Sequence, residues 1–242
     1  RPILRDMPDS RGIIRRMQTQ ESLEQALDAF RPDERRTVLA TLAETARCPA
    51  PGANVNMHIH SFFSYNAKGW SPSRIAWESR RAGLYAAGLC DFDVLDGLEE
   101  FLAAGLTAGL RVTVNLETRA YLREFAQAEI NSPGEPGVTY IMGGGFTRVP
   151  AADTPAAALL RRLREGAAAR NRALVARINP HVGPAAIDYE RDVVPLSPGR
   201  CPTERHLVRA YADKSRLALG DGAALAAFWA ALFAKPEAEV RA

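Results

Sequence analysis

The sequence predicts an α/β protein, and two patterns carry this prediction. From Asn54 onward, short β-rich runs alternate with helical segments in the order strand, helix, strand, helix, strand. Each of the three β-rich runs also ends in side chains that bind metals or transfer protons. Short strands separated by single helices are typical of a parallel sheet or barrel, in which functional side chains gather at the carboxyl ends of the strands.

The composition is that of an ordinary globular protein. The chain has 242 residues, of which 47% are hydrophobic and 24% are charged, so it is long enough for one large domain or two small ones. The net charge of +3 is too small to indicate a nucleic-acid partner. No apolar run reaches the roughly 18 residues of a membrane span. The 3 cysteines form no close pair, which fits reduced thiols in a cytoplasmic protein.

Three regions are predicted along the chain. Residues 1–50 are expected to form an N-terminal helical extension, residues 51–150 an α/β core, and residues 151–242 a helical insertion or C-terminal region. The segment "CPAPGAN" separates the first two regions, because proline and glycine interrupt regular structure. The basic cluster "RPILRDMPDSRGIIRR" at the start is interrupted by acids, and we interpret it as a solvated helical face.

The elements of the α/β core follow from local signals. The run "NVNMHIH" is predicted to be a strand, and "SPSRIAWESRRAG" a helix with Ser71 as N-cap, Pro72 at its first position and Gly83 as its stop. A second strand, "LYAAGLCDFD", precedes a helix that is expected to stop at Gly105. The third strand, "LRVTVNLE", is expected to end at Glu117.

Helices are predicted through most of the C-terminal region. One runs from Pro155 to about Ile178, a second is capped by Thr203 and stopped by Gly220, and a third begins after Asp221 as N-cap. The third helix carries an apolar stripe at helical spacing: Leu225, Phe228, Trp229, Leu232 and Phe233. We expect this stripe to be covered by the body of the protein, by a second copy in a homo-oligomer built on the helix at 221–234, or by residues outside this sequence.

Two of the four histidines form the sharpest motif. His58 and His60 are two residues apart, so on a strand they point to the same side. Asp91 and Asp93 repeat this spacing at the end of the next strand, and Glu117 ends the third. Since the carboxyl ends of neighbouring parallel strands share one edge, we predict that His58, His60 and Glu117 come within coordination distance of one point. Imidazole and carboxylate ligands suit Zn²⁺, Mn²⁺ or Fe²⁺, ions that lower the pKa of a coordinated water.

Simpler interpretations exist for the other polar residues. Asp91 and Asp93 are either catalytic or N-caps of the following helix, because Asp is a favoured N-cap. His206 is expected on the surface of a first helical turn, and His181, which follows Asn-Pro, in a loop.

Three segments in order resemble the polymerase and histidinol phosphatase (PHP) superfamily: "NMHIHSFFSYNAKGWSPSRIAWESRRAGL", "GLCDFDVLDGLEEF" and "VTVNLETR". The resemblance covers roughly residues 54–145. It implies a PHP-like distorted (βα) barrel of about seven units, a cluster of divalent metal ions and hydrolysis of phosphoesters. On this resemblance, His58 and His60 match the first ligand pair, Glu117 the bridging carboxylate, and Asp91 the acid of the second motif.

The chain departs from the family pattern at several positions. Phe92 stands where the family carries a ligand His, and Asn56 where an Asp often precedes the first pair. Tyr65 and Asn66 replace a further acid and His, and the closing Asp-x-His motif is missing. We therefore expect one or two ions per chain, and we interpret the chain as the N-terminal part of the barrel, which stops before the barrel is complete.

A loop is predicted at "NSPGEPG", which begins at Asn131 and Ser132. It is either a plain connector or a cover over the barrel mouth, where its backbone and Arg119 face an anionic small-molecule phosphoester. Asn66 is a further candidate substrate contact. The predicted function is a metal-dependent hydrolase of the PHP type. The alternative is a degenerate PHP-fold binding or regulatory module with a reduced metal site.

Overall fold

The computed structural model describes residues 19–241, and a four-stranded sheet lies at its centre. The strands are β1 (Val55–Ile59), β2 (Ala86–Phe92), β3 (Arg111–Tyr121) and β4 (Val138–Gly144). They lie side by side in chain order. The first three run parallel, and β4 pairs antiparallel with β3. The predicted α/β class is confirmed, and closure into a barrel stays a prediction. The basic cluster within residues 1–18 lies outside the described residues.

Helices connect the parallel strands and pack beside them. The helices of this half are α1 (Gln20–Ala26), α2 (Pro32–Thr45), α3 (Pro72–Arg81) and α4 (Leu98–Ala108). The single-helix connections β1–α3–β2 and β2–α4–β3 are those expected between parallel strands. As predicted, the Ser71 side chain caps α3 by accepting a hydrogen bond from the backbone N–H of Arg74.

The predicted end of α4 at Gly105 is wrong. The helix continues to Ala108 and ends at Gly109, which adopts the left-handed conformation with φ 66°. Gly105 serves packing instead, because a Cβ at that position would lie 2.5 Å from the side chain of Val112. The small residue lets the helix approach β3 closely.

One apolar core joins the sheet to all four of these helices. Trp77 of α3 and Phe101 of α4 are its largest fully buried members, and α2 contributes Leu39 and Leu42. Arg35 is also buried here, and its charge is paired with the carboxylate of Glu100. The N-terminal helices therefore complete the same core, while the division at residue 50 stays a prediction.

The C-terminal region is helical, as predicted. It contains α5 (Pro155–Val182), α6 (Glu204–Leu219), α7 (Ala223–Phe233) and α8 (Glu237–Arg241). Buried residues of α5, α6 and the segment between them form a second apolar core. None of the described helices combines the length and the apolar composition needed to cross a membrane.

Two details of the C-terminal helices correct the predictions from sequence. The N-cap of α7 is Gly222, without a side-chain hydrogen bond, so Asp221 does not cap the helix. The apolar stripe packs on the second core through Phe228, Trp229 and Leu232, but Phe233 is 59% exposed. The body of the protein thus covers most of the stripe, and association with a second copy stays a prediction.

Polar contacts join the two halves. Arg164 of α5 pairs with Asp96, which lies between β2 and α4. The hydroxyl of Ser197 donates to the backbone carbonyl of Phe63 at 3.4 Å. These contacts hold α5 and the segment before α6 against the loops that follow β1 and β2.

Candidate metal centre

His58, His60 and Glu117 meet at the carboxyl ends of the parallel strands. The Nε2 atoms of His58 and His60 lie 3.1 and 3.3 Å from Oε2 of Glu117, and one ligand atom from each residue lies within 4.8 Å of the others. The predicted convergence of the three side chains is therefore confirmed. Their role as metal ligands stays a prediction.

The sheet positions these side chains across three strands. His58 lies on β1 and His60 directly follows it, while Glu117 lies on β3, on the other side of β2. The predicted end of the third strand at Glu117 is wrong, because β3 continues to Tyr121. What ends at Glu117 is the parallel pairing with β2, and from there β3 pairs with β4 alone.

A glycine on β2 leaves room for a hydrogen bond between β1 and β3. The Asn115 side chain on β3 donates to the backbone carbonyl of Met57 on β1 at 3.0 Å. It passes over Gly88, where a Cβ would lie 2.6 Å from that carbonyl oxygen and 2.9 Å from the Asn115 amide nitrogen. Any larger residue at Gly88 would separate the strands that carry the cluster.

The environment favours a neutral imidazole at His60. Burial lowers the pKa of His60, and the neighbouring Glu117 carboxylate opposes that shift. A neutral ring keeps a lone pair on one nitrogen, which is the form that binds a metal. The Glu117 side chain is mostly buried, so its charge is poorly solvated and favours a cationic partner.

The separations of the two imidazole nitrogens from the Glu117 carboxylate fit a metal ion. Two ligand atoms of a tetrahedral zinc ion lie about 3.3 Å apart when each bond is about 2.0–2.1 Å long. The observed separations from Glu117 are 3.1 and 3.3 Å. Three protein ligands leave coordination positions open, which is the pattern of catalytic rather than structural sites. Two imidazoles and a carboxylate also suit Mn²⁺ and Fe²⁺.

Asp91 lies under the loop that follows β1 and is 2% exposed. Its carboxylate accepts hydrogen bonds from the backbone and the hydroxyl of Ser61, at 2.6 and 2.7 Å, and from the hydroxyl of Ser64 at 2.9 Å. Burial raises the pKa of Asp91 to about 6, although these hydrogen bonds oppose the shift. Asp91 is not one of the residues that line the cleft described below.

Asp93 lies on the cleft wall in an unusual conformation. Its φ is 63°, in the left-handed region that residues other than glycine seldom adopt. The conformation is held by hydrogen bonds from the Asp93 N–H to the carbonyl of Glu117 at 2.8 Å and from the Thr118 hydroxyl to Oδ1 of Asp93 at 2.6 Å. Burial raises the pKa of Asp93. Neither Asp91 nor Asp93 caps α4, whose N-cap is Gly97, so the helix-cap interpretation is wrong.

A cleft of about 550 Å³ opens beside the ligand cluster. The sheet contributes His60, Phe92 and Glu117 to its walls. The opposite wall comes from the C-terminal half, through Arg170 of α5 and the start of α6 at Glu204. The cleft therefore lies between the two cores, and its shape depends on how they pack.

Two arginines face this cleft and share one carboxylate. Oε1 of Glu204 lies 3.4 Å from Nε of Arg170 and 3.6 Å from Nη1 of Arg119. Arg119 also pairs with Glu135 of the β3–β4 loop. Arg119 was a candidate from sequence, whereas Arg170 was missed because nothing local marks one arginine of the Arg-rich α5 as different from the others.

The remaining candidate substrate contacts form hydrogen bonds with neighbouring protein groups. The Asn66 side chain donates to the carbonyl of His60 at 2.8 Å and accepts from the N–H of Lys68 at 2.8 Å. The Asn131 side chain bonds to the backbone of Tyr140, and the Ser132 hydroxyl donates to Glu135. None of the three candidates lies among the described residues that line the cleft, and a role in substrate binding stays a prediction for each.

The other two histidines are placed differently from the predictions. His206 is buried rather than on the surface, and its Nδ1 accepts the backbone N–H of Thr203 at 3.0 Å as part of a capping box on α6. His181 lies in the last turn of α5 rather than in a loop, and it is exposed. Thus only His58 and His60 are available to the ligand cluster.

Comparison with solved structures finds a protein of similar fold. A protein from Bifidobacterium adolescentis, described as a metal-dependent phosphoesterase, matches with a TM-score of 0.52 and 18% sequence identity, over 78% of this chain and 58% of that chain. The similarity shows a shared fold, and the chain spans little more than half the length of this neighbour.

A second similarity is too weak to indicate a shared fold. An amidohydrolase from Chromobacterium violaceum, with bound sulfate and no metal, matches with a TM-score of 0.47 and 21% identity, over 66% of this chain and 50% of that chain. No protein-family model and no curated protein matches the sequence.

Proposed function

We propose that the protein is a metal-dependent hydrolase that acts on a small phosphoester, with chemistry of the PHP type. The observation that carries the proposal is the meeting of His58, His60 and Glu117 within 4.8 Å, two of which, His60 and Glu117, line a cleft that also holds two arginines. The fold shared with the Bifidobacterium neighbour, a protein described as a metal-dependent phosphoesterase, supports the proposal.

His58, His60 and Glu117 would hold a divalent ion, Zn²⁺, Mn²⁺ or Fe²⁺. Such an ion supplies Lewis acidity, which polarises a phosphoryl oxygen and lowers the pKa of water. The ring of Phe92 beside the cluster has no lone pair, so one or two ions per chain are proposed. Weak turnover of generic substrates follows from this reduced ligand set.

Arg119 and Arg170 are proposed to bind the anionic group of the substrate. Guanidinium groups match phosphate oxygens in charge and geometry, and both side chains line the cleft that His60 and Glu117 also line. Asp93 lines the same cleft, with Oδ1 engaged by Thr118, and its other carboxyl oxygen is proposed to exchange a proton with the leaving oxygen. Asn131 and Ser132 would support the substrate by holding the loop that carries Glu135.

The second candidate is a binding or regulatory module without catalysis. Phe92 favours it, because an apolar ring occupies the place beside the cluster where a further ligand would complete a larger metal site. In this case the cleft would bind a phosphorylated ligand and leave it intact.

Metal retention and hydrolysis tested together separate these candidates. Protein incubated with Zn²⁺ or Mn²⁺ and then dialysed is expected to retain at least one ion, and the His58→Ala/His60→Ala variant none. His181→Ala is the matched control, because His181 is exposed and far along α5. A wild-type protein that retains no ion refutes the hydrolase. Retention of metal without hydrolysis of p-nitrophenyl phosphate or bis-p-nitrophenyl phosphate supports the binding module.

A further inference from the structure

His60 is connected to a buried carboxylate on the side of its ring that faces away from the ligand cluster. Its Nε2 lies 3.3 Å from Oε2 of Glu117, and its Nδ1 lies 3.3 Å from the hydroxyl oxygen of Ser64. The Ser64 hydroxyl is in turn 2.9 Å from Oδ1 of Asp91. The ring thus has the ligand cluster at one nitrogen and a buried chain of polar groups at the other.

The ionised carboxylate sets the direction of these hydrogen bonds. Asp91 can only accept, and it takes the backbone N–H of Ser61 together with the hydroxyl protons of Ser61 and Ser64. Because the single proton of the Ser64 hydroxyl is committed to Asp91, its oxygen can only accept from His60. With this arrangement the imidazole proton would lie on Nδ1, which would leave the lone pair of Nε2 for an ion shared with Glu117.

Burial makes the connection specific to His60. Ser61, Ser64 and Asp91 are all buried, so water does not compete for their hydrogen bonds. The loop itself is fixed, since the carbonyl of Ser61 accepts the backbone N–H groups of Ser64 and Tyr65 at 3.2 and 3.0 Å. Within the described part of the chain, no such partner contacts Nδ1 of His58, whose side chain is more exposed.

We propose that Asp91 and Ser64 form a positioning relay that holds His60 in the tautomer and orientation needed to bind a metal through Nε2. Partners of this kind fix the ring of a metal-binding histidine and raise its basicity. The proposal rests on the metal centre of the proposed function, and it gives Asp91 a positioning role in place of a direct part in the reaction.

Two serines of one loop provide a matched test. The hydroxyls of Ser61 and Ser64 both donate to Asp91, but only that of Ser64 contacts His60. Competition with a chromophoric chelator measures Zn²⁺ affinity. Ser64→Ala is expected to weaken it about 10–100-fold, Ser61→Ala to weaken it far less, and Ser64→Thr, which keeps the hydroxyl, to restore most of it.

A tautomer measurement decides the point without any variant. In ¹⁵N-histidine spectra of the zinc-loaded wild-type protein, His60 is expected to carry its proton on Nδ1 and to bind the ion through Nε2. A proton on Nε2 of the loaded protein overturns the relay, whether or not Ser64→Ala folds.

Failure of the relay and failure of the metal centre give different results. A wild-type protein that binds no ion overturns both. Tight binding by the wild-type protein, together with equal affinity in Ser64→Ala and Ser61→Ala, overturns the relay and leaves the metal centre in place.

Discussion

Phe92 and Glu117 lie directly opposite each other in the parallel register of β2 and β3. Paired residues of neighbouring strands point to the same face, so an apolar ring lies beside the carboxylate of the ligand cluster. The ring also lies 5.7 Å from that of Tyr140 on β4. The family that the sequence resembles carries a ligand His at this position. This chain instead places two aromatic rings there.

Replacing Phe92 with His is expected to increase metal retention. The imidazole would add a lone pair beside Glu117, where the phenyl ring offers none. Elemental analysis after dialysis against metal-free buffer measures the effect, and the wild-type protein is expected to hold at most two ions.

Phe92→Leu is the control, because it keeps an apolar side chain and adds no ligand. Equal retention in Phe92→His and Phe92→Leu would contradict the prediction. Three ions per wild-type chain would refute a reduced site.

Replacing Glu204 with Gln is expected to strengthen binding of inorganic phosphate about 2- to 5-fold. Glu204 pairs with both Arg119 and Arg170, so its charge competes with an incoming anion. Partly exposed ion pairs contribute about 0.2–1 kcal/mol, which sets this modest size. Isothermal titration calorimetry measures the affinity.

Glu190→Gln is the matched control, since Glu190 pairs with Arg172 on the solvent-exposed surface and does not line the cleft. Glu190→Gln changes the net charge of the protein by the same amount as Glu204→Gln. If both variants bind phosphate equally well, Glu204 does not compete for the cleft arginines.

Acid is expected to destabilise the fold through His206. Burial lowers the pKa of His206 from 6.5 to about 4, and its Nδ1 must stay unprotonated to accept the N–H of Thr203. Because the unfolded chain binds the proton first, stability falls as the pH drops from about 6.5 through 4, by roughly 3 kcal/mol at most. Urea denaturation between pH 7.5 and 4 measures this loss.

His206→Gln is expected to be less stable at pH 7.5 and to lose less stability on acidification. The two proteins must be compared because the titration of Asp91 changes stability with pH in the direction opposite to that of His206. The pKa of Asp91 is raised from 3.8 to about 6, so its contribution is greatest at low pH and declines as the pH rises through that window. Asp91 is present in both proteins, so the same pH profile in both would contradict the role of His206.

Trp229→Ala is expected to destabilise the C-terminal core by about 2 kcal/mol. A fully buried Trp costs about 3–5 kcal/mol to truncate, but Trp229 is half-buried, and its Nε1 donates to the buried hydroxyl of Ser215 at 3.2 Å. Urea denaturation measures the change.

Phe233→Ala is the control and is expected to change stability by less than about 0.5 kcal/mol, because Phe233 is exposed and stacks only on the edge of this core through Trp229. Light scattering on Trp229→Arg/Phe233→Glu tests the homo-oligomer. A folded variant with unchanged mass means that α7 is not an interface.

Strand β4 was not among the strands predicted from the sequence. The run from Val138 to Met142 is rich in β-branched and aromatic residues, a strand signal, and three consecutive glycines follow it. Its antiparallel pairing with β3 also explains why the β3–β4 connection contains no long helix: antiparallel strands need only a loop.

Local sequence by itself determined the three parallel strands, the two helices between them and the facing of His58 and His60, because residue periodicity and i, i+2 spacing act over a few residues. Only the tertiary structure decided which distant groups join them. Arg170 reaches the cleft through the packing of two separate cores, and Ser64 reaches Asp91 through the conformation of one buried loop. Such contacts depend on long-range packing, which no short pattern along the chain records.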